Sequence, residues 1–89
     1  MNLQAYVERI HELPCVLCWK KLGQKTYGVH AHHVGEASER NDWALVPLCH
    51  EHHEGPTGVH GLHRAGFKRM WKVNDIDLLA WTNEAMAKF

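Results

Sequence analysis

Cysteine and histidine stand in two pairs whose members are separated by two residues, Cys15-Val-Leu-Cys18 and Cys49-His-Glu-His52. At this spacing one turn of the chain directs two side chains at the same tetrahedral metal ion. Thiolate and imidazole ligands in a closed set select zinc in a structural role. A lone Cys-x-x-Cys is also compatible with buried apolar cysteines or a redox pair. The second pair favours one structural zinc ion, held by Cys15, Cys18, Cys49 and His52.

Histidines remain in excess once that site is filled. Six of the nine lie between residues 30 and 53. His53 competes with His52 for the fourth zinc position, but the three-residue step from Cys49 favours His52. In a strand, His32 and His33 would point to opposite faces, so one could bind a metal while the other acts as a base. We expect His30 and His50 to be solvated and without a role, as is usual for isolated histidines.

Length, charge and cysteine usage restrict the class of protein. A chain of 89 residues buries too little apolar surface for its core alone to give more than marginal stability, so metal binding would add needed free energy. The three cysteines and the lack of a signal-peptide pattern argue against a disulfide framework. No apolar run approaches the about 20 residues of a membrane span. We therefore expect a cytoplasmic protein that does not contact a membrane.

The charge distribution is more informative than the formal net charge of zero. The zero total argues against binding nucleic acid through bulk positive charge. However, no acidic residue lies between Glu54 and Asp75, whereas four basic residues do. They are Arg64, Lys68, Arg69 and Lys72. Such a group is either a solvated helix face or a phosphate-binding surface, and Arg64, Lys68 and Arg69 are the candidates for contacts with phosphate.

The elements that must position these residues follow from hydrophobic spacing. Residues 2–13 have the apolar spacing of an amphipathic helix ended by Pro14, and residues 27–34 and 43–48 read as strands joined by a polar loop. The second histidine cluster falls on a short helix or turn after Cys49, with a loop expected after Cys18. Helices are predicted over residues 62–71 and from Asn74 or Asp75 onwards. The four tryptophans are expected in the core.

Four segments of the chain together resemble a known family. They are Leu13-Pro-Cys-x-x-Cys18, Ala31-His-His33, Val46-Pro-Leu-Cys-x-x-His-His53 and Gly58-Val-His-Gly-Leu62. The combination is similar to the small HNH (ββα-metal) nucleases of phages and prophages, a group that includes the phage Ref recombination nuclease. The resemblance extends from about Leu13 to Trp71. It implies an α+β fold: a single small ββα-metal domain over residues 1–89 with an N-terminal helix, C-terminal helices and a structural zinc knuckle.

The resemblance also implies roles for the remaining histidines. His33 matches the general base that deprotonates water, while His32, His53 and His60 match ligands of a catalytic divalent cation, Mg²⁺ or alternatively Mn²⁺, Ni²⁺ or Zn²⁺. The implied function is a metal-dependent DNA endonuclease or nickase of low sequence specificity, acting in phage or prophage DNA metabolism or recombination. DNA is the implied partner, and a recombination or replication protein is a further candidate. The implied location is the cytoplasm of a bacterium or phage-infected host.

One position departs from the family pattern. The asparagine that names the HNH motif stands five residues before the knuckle cysteine, and this chain has Ala44 there. Asn41 is near but out of register. A second hypothesis is therefore a zinc-stabilised HNH-like module with weak or no catalysis that binds DNA or protein. A metal store or sensor is disfavoured because the histidine pairs stand at defined offsets from Cys49.

Overall fold

A computed structural model describes all 89 residues, Met1–Phe89. Two strands, β1 (His30–His33) and β2 (Leu45–Leu48), form an antiparallel sheet in which His30 lies opposite Leu48 and His33 opposite Leu45. The α-helices are α1 (Leu3–Glu12), α2 (His50–His53), α3 (Val59–Trp71) and α4 (Asp75–Lys88). The predicted α+β class is confirmed.

Helix α1 packs on the two-stranded sheet. The side chain of Asn2 caps the helix by accepting a hydrogen bond of 2.8 Å from the Ala5 amide, and the helix ends before Pro14 as predicted. The Tyr6 hydroxyl accepts a hydrogen bond from the Leu45 amide at 2.9 Å and donates one to the Trp43 carbonyl at 3.0 Å. These bonds join α1 to the start of β2, so the helix supports the strand that leads into α2.

Strand β2 lies in the middle of the molecule. All four of its residues are buried, because one side packs on α1 and the other on the residues around the cysteines. Cys15, Cys18 and Cys49 belong to the larger of two apolar clusters, together with Val46, Leu48 and side chains of α3 and α4. The cysteine-containing turns are therefore part of the core.

The structure differs from the sequence-based expectations at two places before β2. The expected loop after Cys18 begins as a π-helical turn, Cys18–Leu22, which ends at Gly23 with a φ of 66°. The expectation that every tryptophan is in the core is wrong for Trp43, which is 52% exposed and stacks on Tyr6. Trp43 stands just before β2, where only one face of its ring meets α1. The loop between the strands also contains a short 3-10 turn, Ala37–Glu39.

Helices α3 and α4 complete the fold. Helix α3 begins three residues earlier than predicted and has a kink at His63, where φ is 62°. For α4, Asn74 is the cap and Asp75 the first helical residue, because the Asn74 side chain accepts a hydrogen bond from the Asp77 amide. None of the helices has the length and apolar character needed to cross a bilayer.

Candidate metal centres

The four predicted zinc ligands form one buried cluster. Cys15 and Cys18 lie on the turn that follows α1, Cys49 is the N-cap of α2, and His52 lies within α2. The His52 Nδ1 atom is 3.8 Å from the Cys15 sulfur, 3.4 Å from the Cys18 sulfur and 3.2 Å from the Cys49 sulfur. The prediction of a four-ligand cluster is confirmed, and His52, rather than His53, is its fourth member.

These separations fit a tetrahedral ion. Bond lengths of about 2.3 Å to sulfur and about 2.0 Å to nitrogen place two sulfurs about 3.8 Å apart and a sulfur and a nitrogen about 3.5 Å apart. The Cys18 and Cys49 sulfurs are 3.8 Å apart, and the three sulfur–nitrogen distances scatter around the second value. Burial raises the pKa of the Cys15 thiol to about 12, so a thiolate here requires a neighbouring cation. The donor set is consistent with zinc.

A second cluster joins three elements of the fold. The ring nitrogens of His32 from β1, His53 from α2 and His60 from α3 converge, with the Nε2 atoms of His53 and His60 3.2 Å apart. Two nitrogens bound to one tetrahedral ion lie about 3.3 Å apart. The structure therefore brings together the three predicted ligands of the catalytic cation in a geometry that one ion could occupy.

Burial keeps His32 and His53 of this second cluster neutral. It lowers the pKa of His32 to about 4, with smaller contributions from His53 and His60. Burial also lowers the pKa of His53, again with like-charged histidines adding to the effect. Both rings are therefore neutral at pH 7, and a neutral imidazole has the lone pair that a metal ion binds.

Two glycines allow α3 to approach α2 closely enough to complete the cluster. A Cβ atom on Gly58 would lie 2.5 Å from the Glu51 carbonyl oxygen, and one on Gly61 would collide with the Gly55 backbone. The Gly-Val-His-Gly segment thus places His60 beside His53 because its glycines lack side chains.

A cavity of about 680 Å³ opens beside the three histidines. Residues from β1, the loop after it, α2 and α3 line it, and both acidic and basic side chains are present. The polar side chains in its wall are those of His32, His33, Glu36, Arg40, His53, His60, His63 and Arg64.

His33 lies in the wall of this cavity but outside the histidine cluster. Its Nε2 atom is 3.0 Å from the Asp42 Oδ1 atom, so Asp42 holds the ring from the inter-strand loop. Asn41 forms no hydrogen bond with His33, and its side chain accepts one from the Trp43 amide at 2.8 Å. The Ala44 carbonyl accepts a hydrogen bond from the Val34 amide at 3.1 Å, and the Ala44 amide donates one to the Asn41 carbonyl at 3.0 Å. Sequence reasoning did not identify Asp42.

The predicted phosphate-binding residues differ in their surroundings. The Asp75 carboxylate accepts hydrogen bonds from Arg64 at 3.0 Å and from Lys68 at 3.4 Å, and Arg64 also pairs with Glu36. Their charge is therefore largely neutralised within the protein. Arg69 is exposed and forms no ion pair. Arg40, which sequence reasoning missed, also forms none and lines the cavity.

The two histidines expected to be solvated have different environments. For His50 the expectation is confirmed, since its side chain is 73% exposed. For His30 it is wrong: the ring is half-buried, and its Nδ1 atom lies 2.8 Å from the Nδ1 atom of His53. His30 and His32 are two residues apart in β1 and share a face of the strand, a signal that could have placed His30 near the cluster.

Two consecutive residues of α2 thus belong to two separate clusters. His52 belongs to the buried cluster, and His53 belongs to the cluster beside the cavity. The closed Cys3His set has the composition of structural sites, whereas three imidazoles leave positions open for water or substrate, as in catalytic sites.

No protein-family model matches this chain, and no curated protein matches it.

Proposed function

We propose that this chain is a metal-dependent HNH-type DNA endonuclease or nickase. The observation that carries the proposal is the convergence of His32, His53 and His60 on one cavity whose wall also contains His33. Metal ligands and a separate imidazole base, both accessible to substrate, are the groups that hydrolysis of a phosphodiester requires. DNA is the proposed substrate, and the proposed setting is phage or prophage DNA metabolism or recombination.

The order of elements supports a ββα-metal arrangement. Antiparallel strands β1 and β2 are followed directly by α2, with ligands on the first strand and on the helix. The buried cluster connects this unit to the turn after α1, because Cys49 and His52 belong to the start of α2 while Cys15 and Cys18 belong to that turn. We propose that zinc occupies the buried cluster and stabilises the unit, while Mg²⁺, Mn²⁺, Ni²⁺ or Zn²⁺ occupies the histidine cluster.

The residues around the cavity have distinct proposed tasks. When bound, a divalent cation supplies electrostatic stabilisation of charge on the scissile phosphate and its leaving oxygen. His33 accepts a proton from the attacking water. Because Asp42 accepts the Nε2–H hydrogen bond of His33, the ring has its proton on Nε2 and a free lone pair on Nδ1. Asp42 therefore selects the tautomer that acts as a base.

The proposed phosphate-binding residues are the arginines that form no ion pair within the protein. Arg40 in the cavity wall and Arg69 on α3 form no ion pair, so their guanidinium groups can donate to phosphate oxygens without breaking one. Arg64 would have to exchange the carboxylates of Glu36 and Asp75 for phosphate. Backbone contacts of this kind do not identify bases, in line with low sequence specificity.

A second candidate is a zinc-stabilised HNH-like module that binds DNA or a recombination or replication protein without efficient cleavage. The pairing of Arg64 and Lys68 with Asp75 favours it, because two of the basic residues near the histidine cluster are already neutralised. The two candidates differ in one measurable respect, which is the cleavage of DNA.

The experiment is relaxation of supercoiled plasmid by the zinc-loaded protein with added Mg²⁺, Mn²⁺ or Ni²⁺. We expect nicking by the wild type, its loss in His33→Ala, and no change in His11→Ala, a control for histidine content because His11 is exposed on α1. Plasmid binding without cleavage under any metal would select the binding module. Cleavage that does not depend on His33 would overturn the assignment of the base.

A further inference from the structure

The geometry points to His30 as a positioning residue for the metal ligand His53, a role that rests on the proposed cation at the histidine cluster. The Nδ1 atoms of the two rings are 2.8 Å apart, the distance of a hydrogen bond. We propose that His53 donates its Nδ1–H to His30, which keeps the Nε2 atom of His53 unprotonated and directed at the cation.

The distances separate this role from that of a further ligand to the cation proposed at His32, His53 and His60. Two nitrogens on one tetrahedral ion lie about 3.3 Å apart, and the Nε2 atoms of His53 and His60 are 3.2 Å apart. The Nδ1 atoms of His30 and His53 are closer than that edge, at 2.8 Å. They therefore suit a shared proton, so His53 bonds to His30 through one nitrogen and to the cation through the other.

The protons can be assigned without conflict. A neutral imidazole carries one N–H, and cation binding at Nε2 of His53 places it on Nδ1. The accepting Nδ1 of His30 must then be unprotonated, which places its own proton on Nε2. A ligand histidine whose second nitrogen donates a hydrogen bond has a fixed tautomer and ring orientation, and loss of such a partner lowers metal affinity by about 10-fold to 100-fold.

The location of His30 makes it suitable for this task. It lies on β1 two residues from His32, on the same face of the strand, and its ring packs edge-on against that of His53 at 5.1 Å between centroids. The strand thus supplies one ligand of the cation and the hydrogen-bond partner of a second. This arrangement fixes the distance between β1 and α2 at the site.

The test is titration with Ni²⁺, by calorimetry and independent of DNA, of protein that carries one zinc per chain. We expect one Ni²⁺ per wild-type chain in addition to zinc and an about 10-fold to 100-fold higher Kd in His30→Ala. His30→Asn should recover most of the affinity, because the Asn Oδ1 atom takes the place of the His Nδ1 acceptor. His50→Ala is the matched control, since His50 is exposed next to the same cluster, and its Kd should not change.

A second readout reports the tautomer itself. Nitrogen NMR of the protein without Ni²⁺ should show His53 with its proton on Nδ1 in the wild type and in His30→Asn, and a shift toward the Nε2–H form in His30→Ala. A Ni²⁺ Kd for His30→Ala equal to that of the wild type, with an unchanged tautomer, would overturn the inference. Tight Ni²⁺ binding that depends on His30 in a protein that does not cut plasmid would support the inference while the nuclease proposal fails.

Discussion

The Nε2 atom of His33 and the Oδ1 atom of Asp42 lie 3.0 Å apart, across the base of the loop that joins the two strands. Asp42 thereby holds His33 in a chain that has Ala44 where the HNH resemblance implies an asparagine. A carboxylate that accepts from Nε2–H fixes the ring and stabilises it when it takes up a proton.

Removal of this acceptor should therefore slow the proposed DNA cleavage while leaving the metal sites intact. We predict that Asp42→Ala lowers the rate of plasmid nicking by on the order of 10-fold to 100-fold, and that Asp42→Asn, which keeps Oδ1 as an acceptor, lowers it less. Single-turnover nicking rates test this, with Ni²⁺ affinity as the control. Equal rates for Asp42→Ala and the wild type would show that Asp42 has no part in the reaction.

Substitution of the neighbours His52 and His53 should have different effects on stability. His52→Ala removes a ligand of the buried cluster, and because structural zinc sites contribute about 10 kcal/mol or more of binding free energy, we expect loss of zinc and of the fold. His53→Ala should keep one zinc per chain and a cooperative melt but lose binding of Ni²⁺. Elemental analysis and circular dichroism measure both. A folded, zinc-free His52→Ala protein would contradict the assignment.

Acid should destabilise the protein through His32. Its pKa is about 4 in the folded state because of burial and the ordinary value of 6.5 in the unfolded chain, so the unfolded state binds the proton first as pH falls. The contribution of neutral His32 to the free energy of unfolding is thus fully present above pH 6.5 and decreases from there toward pH 4. Between pH 7 and 5 the loss is about 2 kcal/mol.

Urea denaturation of zinc-loaded protein without Ni²⁺ at pH 7, 6 and 5 measures this dependence. The side chain in His32→Gln cannot take up the proton, so the free energy of unfolding of this variant should fall between pH 7 and 5 by about 2 kcal/mol less than that of the wild type. His11→Ala, which changes an exposed histidine, should retain the wild-type slope. The same slope in His32→Gln and the wild type would mean that His32 is not the group responsible.

Replacing an arginine that forms an ion pair within the protein should change DNA affinity less than replacing one that forms none. Arg40→Ala should weaken binding of a labelled duplex and reduce the slope of log affinity against log salt by about one, because one phosphate contact is lost. Arg64→Ala should change the slope less, since Arg64 already pairs with Glu36 and Asp75. Fluorescence anisotropy at several salt concentrations, in the His33→Ala background, measures both. A larger effect of Arg64 would favour the assignment made from sequence.

Local spacing was sufficient for the features confined to one turn of chain. Cys15 with Cys18, and Cys49 with His52, are close in sequence, so the covalent chain alone brings each pair together. Local spacing also selects His52 rather than His53 as the fourth ligand, because a step of three residues from Cys49 along a helix returns the side chain to the same face. Helix α1 also followed from its apolar spacing.

Contacts between residues far apart in sequence were decided by the tertiary structure. His30 meets His53, Arg64 meets Asp75, and His33 meets Asp42 only because β1, its loop and three helices pack in one particular way. From sequence, Arg64 and Lys68 appeared free of acidic neighbours, and the packing of α3 against the start of α4 supplied the carboxylate. Residue types and local spacing determined which side chains could bind metal, whereas packing decided which nitrogen, carboxylate or guanidinium each one meets.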